Sequence, residues 1–575
     1  MQNPMTAAFA EIEKLVTNAL KSVCTDSGVP SGELPPFEPL IPGNREHGDI
    51  STNVAMKSAK LLKMPPKAIA DKICQYINEH NHPFINTCEP AGAGFINFFL
   101  SPEWYAAVVR GILQAGESYG RSDMGKGERV MVEYVSANPT GPMHLGNARG
   151  GALGDCLASV LSAAGYNVHR EFYVNDVGNQ IAMFGLSLEA RYLQIFKGED
   201  AVEFPENGYH GDDIKERAAG FAKLYGDKYV DADPRERRQA LIDYALPMNI
   251  AAMKAGLAKY RIEYDLWFPE SELHKNGTVD KAIGILKEKG LTYEADGALW
   301  YKATERGGQK DEVLVRSDDN KTDTYFAADI AYHYNKFVER GFDKVIDVWG
   351  ADHHWHVARL KGVMDALDVL RRDDPLPDKT FDIIINQMVN LVRDGETVRM
   401  SKRTGKAITL ENLIEEVPVD AARFFFNLLE ANSQLDFDLN LAAEQSSKNP
   451  VYYVQYAHAR ICSIEKNLAA EGIAFKFPTD GQLANCLTAP EEKDLIFALA
   501  GFPSKIEAAA RLYSPAEIAR YAILVASLFH KFYTACRIKG EAEDLLQARL
   551  ALAKCTGLVL KNILTLFKID CPEIM

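Results

Sequence analysis

The sequence predicts an α/β protein in three parts: a parallel-sheet domain carrying an insertion, a small N-terminal α/β unit before it, and an all-α bundle after it. Three observations predict this. From residue 129 to about 420, apolar runs of strand length alternate with helical spacing, as in a parallel sheet wrapped by crossover helices. From Ala421 onward the apolar spacing is helical. At 575 residues and 47% hydrophobic content, the chain has material for several packed cores and is too apolar to be disordered.

The N-terminal unit spans residues 1–118. Ala7 to Val23 has helical spacing, and Ser31 to Gly43 is a Pro-rich loop. His47-Gly-Asp-Ile-Ser-Thr-Asn53 caps a helix from Val54 to Leu62, and Pro65-Pro66 opens another from Lys67 to Glu79. Phe95-Ile-Asn-Phe-Phe-Leu100 reads as a strand. Gly92-Ala-Gly94 before it lacks the third glycine of a dinucleotide loop, so it reads as a turn. Gly120 to Glu128 is polar and Gly-rich, a linker into the domain of residues 119–420.

That domain opens with the apolar strand Val130-Met-Val-Glu-Tyr-Val135. The loop Ser136-Ala-Asn-Pro-Thr-Gly-Pro-Met-His-Leu-Gly-Asn147 follows. Leu153, Leu157, Val160 and Leu161 then keep helical spacing. A Pro/Gly loop thus carries His144 and Gly146 onto a helix N-terminus, where free N–H groups and the dipole favour phosphate. Residues from about 178 to 316 form a long, polar, mostly helical stretch and read as an insertion. The sheet resumes at Lys344-Val-Ile-Asp-Val-Trp349 and Phe381-Asp-Ile-Ile-Ile-Asn386. Arg399-Met-Ser-Lys-Arg403 and Thr404-Gly-Lys406 lie between that last strand and a helical run from Leu410 to Glu416. Alone, this is a solvated basic loop. Paired with the His144 motif, its cations suit a departing pyrophosphate, since charge placed there favours the transition state.

The bundle spans residues 421–575. Pro450 suits the first turn of a helix running through Tyr453, Tyr456 and Arg460, and Ser514-Pro-Ala-Glu517 resembles a capping box. His530-Lys-Phe-Tyr533 and Cys536-Arg-Ile-Lys539 are expected on a further helix. Its cations and rings could meet RNA, but their spacing alone better fits a core stripe with a solvated face.

Composition narrows the function classes. No apolar run reaches membrane-spanning length, and the N-terminus lacks a basic-then-apolar leader, so no membrane partner and a cytoplasmic location are expected. Nine cysteines without a C-x-x-C pair argue against a disulfide framework or a thiolate zinc site. Net charge is −15, concentrated before Ala421, because the remainder carries 16 Lys+Arg against 17 Asp+Glu. That balance opposes nonspecific nucleic-acid binding over the whole surface and permits a local patch. Asp352-His-His-Trp-His356 could suggest zinc, but no other cluster completes a site, and no protein-bound zinc is expected.

The His144 and Lys402 motifs resemble the paired signature elements of class I aminoacyl-tRNA synthetases. In order along the chain, seven segments are similar to the arginyl-tRNA synthetase family: Val135 to His144, Phe172 to Gln180, Tyr209-His-Gly211, Tyr264 to Ser271, Asp329 to His333, Trp349 to His354, and Asn449 to Arg460. Asn147 stands where the class pattern has a second His, and Arg399 and Arg403 where it has Lys and Ser. Asn can donate a hydrogen bond but cannot titrate.

The resemblance implies a Rossmann-type catalytic domain, an N-terminal domain touching tRNA and a C-terminal anticodon-binding bundle. The implied reaction is ATP-dependent activation of L-arginine and its transfer to the 3′-terminal adenosine of tRNA(Arg), with Mg2+ accompanying ATP. His144, Asn147 and Lys402 are the implied catalytic residues. His144, Gly146, Asn147 and Lys402 would hold the phosphates, with Gly350, Asp352, Met388 and Val389 around the nucleoside. Glu133, Ser136, Asn138 and His144 would hold the amino-acid end of arginine. Asp329 would take its guanidinium, with Tyr325 packed beside it one helical turn earlier. Tyr453, Tyr456, Arg460, Lys531 and Arg537 are the tRNA candidates. The resemblance also implies a monomer and arginine activation that needs bound tRNA. The rival classes are a small-molecule nucleotidylyltransferase, a synthetase for another amino acid, and a non-catalytic tRNA-binding paralogue. The long helical tail, the Tyr325/Asp329 pair and the retained His144, Gly146 and Lys402 weigh against them.

Overall fold

A computed structural model of the chain describes residues 3–575 except 31, 33, 81, 307, 319–321, 372–377 and 399–407. Five parallel strands form the central sheet, in the order Thr380–Asn386, Lys344–Gly350, Arg129–Tyr134, Asn167–Val174, Leu266–Pro269. The chain runs outward from Arg129–Tyr134 to one edge, then returns to build the other side at Lys344–Gly350. Strand order therefore reverses beside Arg129–Tyr134. A crevice opens at the carboxyl ends of strands at such a reversal. The first crossover helix, Leu145–Ala163, lies against the sheet through glycine: a Cβ at Gly154 would sit 2.3 Å from the Tyr134 ring. Only a residue without a side chain permits that approach.

Several expectations change. Leu266–Pro269 was expected inside the insertion, yet it pairs in parallel with Glu171–Val174 as the sheet's edge strand. Four residues ending in proline give little periodic signal, and an edge position tolerates the missing N–H. The helical reading from Ala421 is interrupted by the strand Leu435–Asp438, which pairs in parallel with Val389–Arg393. The rest of the insertion region folds on its own terms. Helices Asn179–Lys197, Asp212–Tyr225 and Pro234–Lys259 bury Phe184, Leu188, Tyr192, Phe221 and Leu241 as a separate core. A three-stranded sheet (Thr292–Ala295, Ala298–Tyr301, Glu312–Val315) then leads to helix Tyr325–Tyr334.

In the N-terminal unit, helices Pro4–Asp26, Val54–Leu62 and Pro66–Glu79 accompany an antiparallel sheet ordered Ile50–Thr52, Phe95–Leu100, Ile85–Ala91. Ala91 pairs with Phe95, so Gly92-Ala-Gly94 is a hairpin turn. Helix Pro102–Ala115 joins this unit to the C-terminal bundle: the Cys555 thiol donates to the Val109 carbonyl, and Asn562 donates to the Gly116 and Tyr119 carbonyls.

The bundle comprises six helices from Pro450–Ala470 to Glu543–Leu566 among the described residues. Helix Ala516–Ala535 ends before Arg537, which had been expected on it. The Ser514 hydroxyl donates to Glu430 instead of capping that helix. Among the described residues, no helix is long and apolar enough to cross a membrane.

Candidate active site

The sheet reversal places the His144 motif at the mouth of the crevice. His144 is the N-cap residue of helix Leu145–Ala163, so the first N–H groups of that helix open toward it. The Asn147 Oδ1 accepts from the His144 backbone N–H at 3.0 Å, which commits the oxygen to the cap and leaves the amide N–H2 to donate outward. Partial burial holds the His144 pKa below its ordinary value, and the nearby Asp352 carboxylate pulls it the other way. The ring is therefore a neutral donor at pH 7. Gly146 lies directly under it, since a Cβ there would come within 3.1 Å of the imidazole. His144 also bridges Thr409, with Leu145 N–H donating to the Ile408 carbonyl and Leu410 N–H to the Met143 carbonyl. The segment after the basic loop is thus docked on the phosphate-facing motif. Arg399, Lys402 and Arg403 themselves lie outside the described residues.

Gly350 ends its strand level with Asn386 of the neighbouring strand, and Asp352 follows in a short 3-10 turn with an exposed side chain. Met388 is exposed, and Val389 starts the strand Val389–Arg393. Asn386, which sequence reasoning passed over, donates to the Gly146 carbonyl at 3.4 Å and keeps a buried Oδ1 with no hydrogen-bond partner among the described residues.

The strand Arg129–Tyr134 ends in a sharp turn, with positive φ at both Val135 (71°) and Ser136 (39°). Non-glycine residues held there carry local strain of about 1–3 kcal/mol each, typical of functional sites. The turn brings the Ser136 hydroxyl back to Glu133 Oε1 at 2.8 Å, while the same hydroxyl accepts from the Tyr173 N–H at 3.1 Å. Asn138 is half-buried beyond the turn. Glu133 Oε2 receives Lys336 Nζ at 2.5 Å, and Lys336 also donates to Asp347 at 2.9 Å. Burial pushes the Glu133 pKa up against the pull of Lys336. For Lys336 burial also opposes the charge, but Asp347 and Glu133 outweigh it and raise the pKa. Asp347, Glu133 and Glu171 occupy one row across three adjacent strands. Lys336 pairs with the first two, His333 also hydrogen-bonds Asp347, and Arg340 grips Glu171 with two hydrogen bonds of 2.7 and 2.8 Å. Sequence reasoning missed Lys336, which lies 203 positions from Glu133. The available signal was an acid inside an apolar strand, which requires a buried partner.

Tyr325 and Asp329 both lie on helix Tyr325–Tyr334, started by the Thr324 cap. The Tyr325 hydroxyl accepts from the Asn179 N–H at 3.2 Å and rests over Gly178, whose φ is +85°. Asp329 faces a second acid that sequence reasoning missed. Glu270 starts the helix after the edge strand, is 4% exposed, and has a buried Oε2 with no hydrogen-bond partner among the described residues. Burial first, and then the Asp329 charge, raise its pKa to about 7 against the Tyr173 hydrogen bond. Two carboxylates that repel each other, one with an idle oxygen, are a candidate site for an external cation. The three imidazoles of the Asp352–His356 stretch diverge: His353 stays near Asp352, His354 bonds the Ala351 carbonyl, and His356 turns inward to Asp329.

In the bundle, Tyr453, Tyr456 and Arg460 come together with His530 and Tyr533. Arg460 lies 4.7 Å over the Tyr456 ring and 5.1 Å from that of Tyr533, and His530 is 4.9 Å from Tyr453. Lys531 is exposed beside them, whereas Arg537 lies past the helix end next to Gly540. The patch offers rings and a cation to unstacked bases.

Comparison with known proteins covers nearly the whole chain. Residues 10–100 match the arginyl tRNA synthetase N terminal domain, 108–462 the class I (R) tRNA synthetase catalytic domain, and 454–575 the DALR anticodon binding domain. A relative from Ruminiclostridium cellulolyticum, described as an arginine–tRNA ligase, is 52% identical over 98% of this chain and 99% of its own. One of the same description from Caldanaerobacter subterraneus is also 52% identical, over 100% of both chains. The solved arginyl-tRNA synthetase of Thermus thermophilus shares the fold, with a TM-score of 0.72 and 23% identity over 99% of this chain and 100% of that one. With these matches running along nearly its whole length and the fold shared, the chain belongs to the arginyl-tRNA synthetase family of class I aminoacyl-tRNA synthetases.

Proposed function

We propose that the chain is an arginine–tRNA ligase that activates L-arginine with ATP and passes the arginyl group to the 3′-terminal adenosine of tRNA(Arg). The observation that carries this is the Glu270/Asp329 pair, in which the buried Glu270 carboxylate has no lysine or arginine partner among the described residues and only His274 at 4.0 Å, on the same sheet edge as a helix N-terminus open to phosphate. A guanidinium fits such a pocket through paired, charge-assisted hydrogen bonds.

In the first step the arginine carboxylate oxygen attacks the α-phosphorus of ATP, and pyrophosphate leaves. In the second, a ribose hydroxyl of the terminal adenosine attacks the acyl carbon, and AMP leaves. Neither step needs a protein nucleophile, so positioning and charge do the work. Glu133, with Ser136 and Asn138, receives the α-amino end, while Asp329, Tyr325 and Glu270 receive the guanidinium. His144, Gly146 and Asn147 hold the phosphates of the magnesium–ATP substrate, with Gly350, Asp352, Met388 and Val389 at the nucleoside. Lys402 neutralises the leaving pyrophosphate. The patch of Tyr453, Tyr456 and Arg460 meets tRNA, with Lys531 at its border and Arg537 as an outlying contact. Family likeness supports a cytoplasmic monomer.

ATP–pyrophosphate exchange with each amino acid, with and without tRNA, tests this. Exchange with arginine alone is expected, and only in the presence of tRNA. No exchange under any condition, despite tRNA binding, would identify a non-catalytic paralogue.

A further inference from the structure

Asp329 does not stand alone in its pocket. Its Oδ2 accepts from His356 Nε2 at 2.8 Å. The other ring nitrogen of His356, Nδ1, accepts the Nε–H of Arg359. Arg359 in turn pairs with Glu312 at 2.9 Å. The order is Glu312, Arg359, His356, Asp329, drawn from strand Glu312–Val315 and helices His354–Ala366 and Tyr325–Tyr334.

The chemistry of this line fixes a tautomer. Arginine Nε–H can only donate, so His356 Nδ1 must accept and the single ring hydrogen sits on Nε2. That hydrogen points at Asp329. The ring cannot swing away, because it is boxed by Trp349 at 5.5 Å, Trp355 at 5.6 Å and Phe326 at 5.8 Å. Arg359 is itself held 4.2 Å over the Trp355 ring and 4.8 Å over that of Phe326.

The charge balance is equally specific. Glu312 offsets Arg359, and a neutral His356 adds nothing, so the Asp329 negative charge reaches the pocket intact. A lysine or arginine placed directly against Asp329 would orient it equally well and would cancel that charge. We propose that the Glu312–Arg359–His356 relay is a positioning device for arginine selection: it locks the plane of the Asp329 carboxylate while leaving its charge and Oδ1 to the guanidinium. This rests on Asp329 receiving arginine, as in the proposed function. His356 and Arg359 are positioning residues, since they act through Asp329.

The test is steady-state ATP–pyrophosphate exchange by the full-length enzyme in the presence of tRNA. A hydrogen bond to a charged group corresponds to roughly a ten- to hundredfold change in affinity. His356→Ala is therefore expected to raise the arginine KM by roughly that factor. Its KM for ATP and its kcat at saturating arginine should stay within about threefold of wild type. His356→Gln, whose amide N–H can replace Nε2–H, should recover most of the loss. Arg359→Met, which frees the imidazole to take the other tautomer, should raise the arginine KM without touching that of ATP, and it provides the test if His356→Ala does not fold. An unchanged arginine KM in His356→Ala or Arg359→Met would overturn the relay. So would a parallel loss of kcat and ATP affinity, or a His356→Gln variant no better than His356→Ala. A wild-type enzyme without arginine-dependent exchange would instead sink the assigned activity.

Discussion

Asp155 and Glu270 are both buried carboxylates beside the central sheet, and their surroundings differ in one respect. Asp155 accepts from Arg423 at 2.5 Å and from Lys568 at 2.8 Å. Arg423, also fully buried, spends its remaining N–H groups on the Phe567 and Tyr260 carbonyls. This cluster ties the phosphate-facing helix to the tail of the chain. Glu270 has no lysine or arginine partner among the described residues, an idle Oε2, and a second acid nearby. Charge satisfied from within the chain holds the fold. Charge left without a lysine or arginine partner at the sheet edge is what the proposed arginine site rests on. The Asp347–Glu133–Glu171 row combines both, since Lys336 and Arg340 neutralise it internally while Glu133 still faces the turn at Ser136.

Mutations on the two sides of this contrast should separate stability from catalysis. The largest effect is expected at Arg423. Arg423→Met leaves Asp155 short of its buried partner and should cost about 3–5 kcal/mol in urea unfolding. A loss of activity with an unchanged unfolding midpoint would contradict the structural role. Asp329→Ala should do the reverse. Removing one partner of a buried charge pair costs about 2–5 kcal/mol in binding, so arginine kcat/KM should fall about a hundredfold or more with little change in the melting temperature. If arginine kinetics are untouched, the pocket is misassigned. Lys402→Ala should lower kcat by about a hundredfold while leaving the arginine KM near wild type, because its charge meets the leaving group only in the transition state. An effect on KM alone would count against that role.

The smallest effect is expected at Glu270 and is the most diagnostic. With a pKa of about 7 in the empty pocket, its carboxyl is partly protonated at neutral pH. A guanidinium favours the ionised form, so binding expels a proton. The arginine KM should therefore fall as pH rises from 6 to 8 and then level off. Glu270→Gln should raise KM about tenfold at pH 8 and flatten that slope. An identical pH profile in the variant would show that another group titrates.

Much of the fold was legible locally. The helices expected at Val54–Leu62 and Leu410–Glu416 and the strand at Phe95–Leu100 have those bounds, because apolar period and caps are short-range signals. The Asp352–His356 stretch shows where local reading stops. Its spacing invited a metal reading, yet its three imidazoles face three different partners, and only the packing of helix His354–Ala366 against helix Tyr325–Tyr334 turns His356 toward Asp329.

The sequence by itself determined the α/β class, the loop that carries His144 onto a helix N-terminus, the helical C-terminal bundle and the placing of Tyr325 and Asp329 on one helix. Each is written in residues a few positions apart, where period, glycine, proline and helical spacing constrain the backbone directly. Tertiary structure alone decided that Leu266–Pro269 completes the sheet, that Glu270 joins Asp329, that Lys336 reaches Glu133, and that Arg359 meets His356. Buried charges must find partners wherever the fold brings them, and that requirement does not say how far along the chain the partner lies.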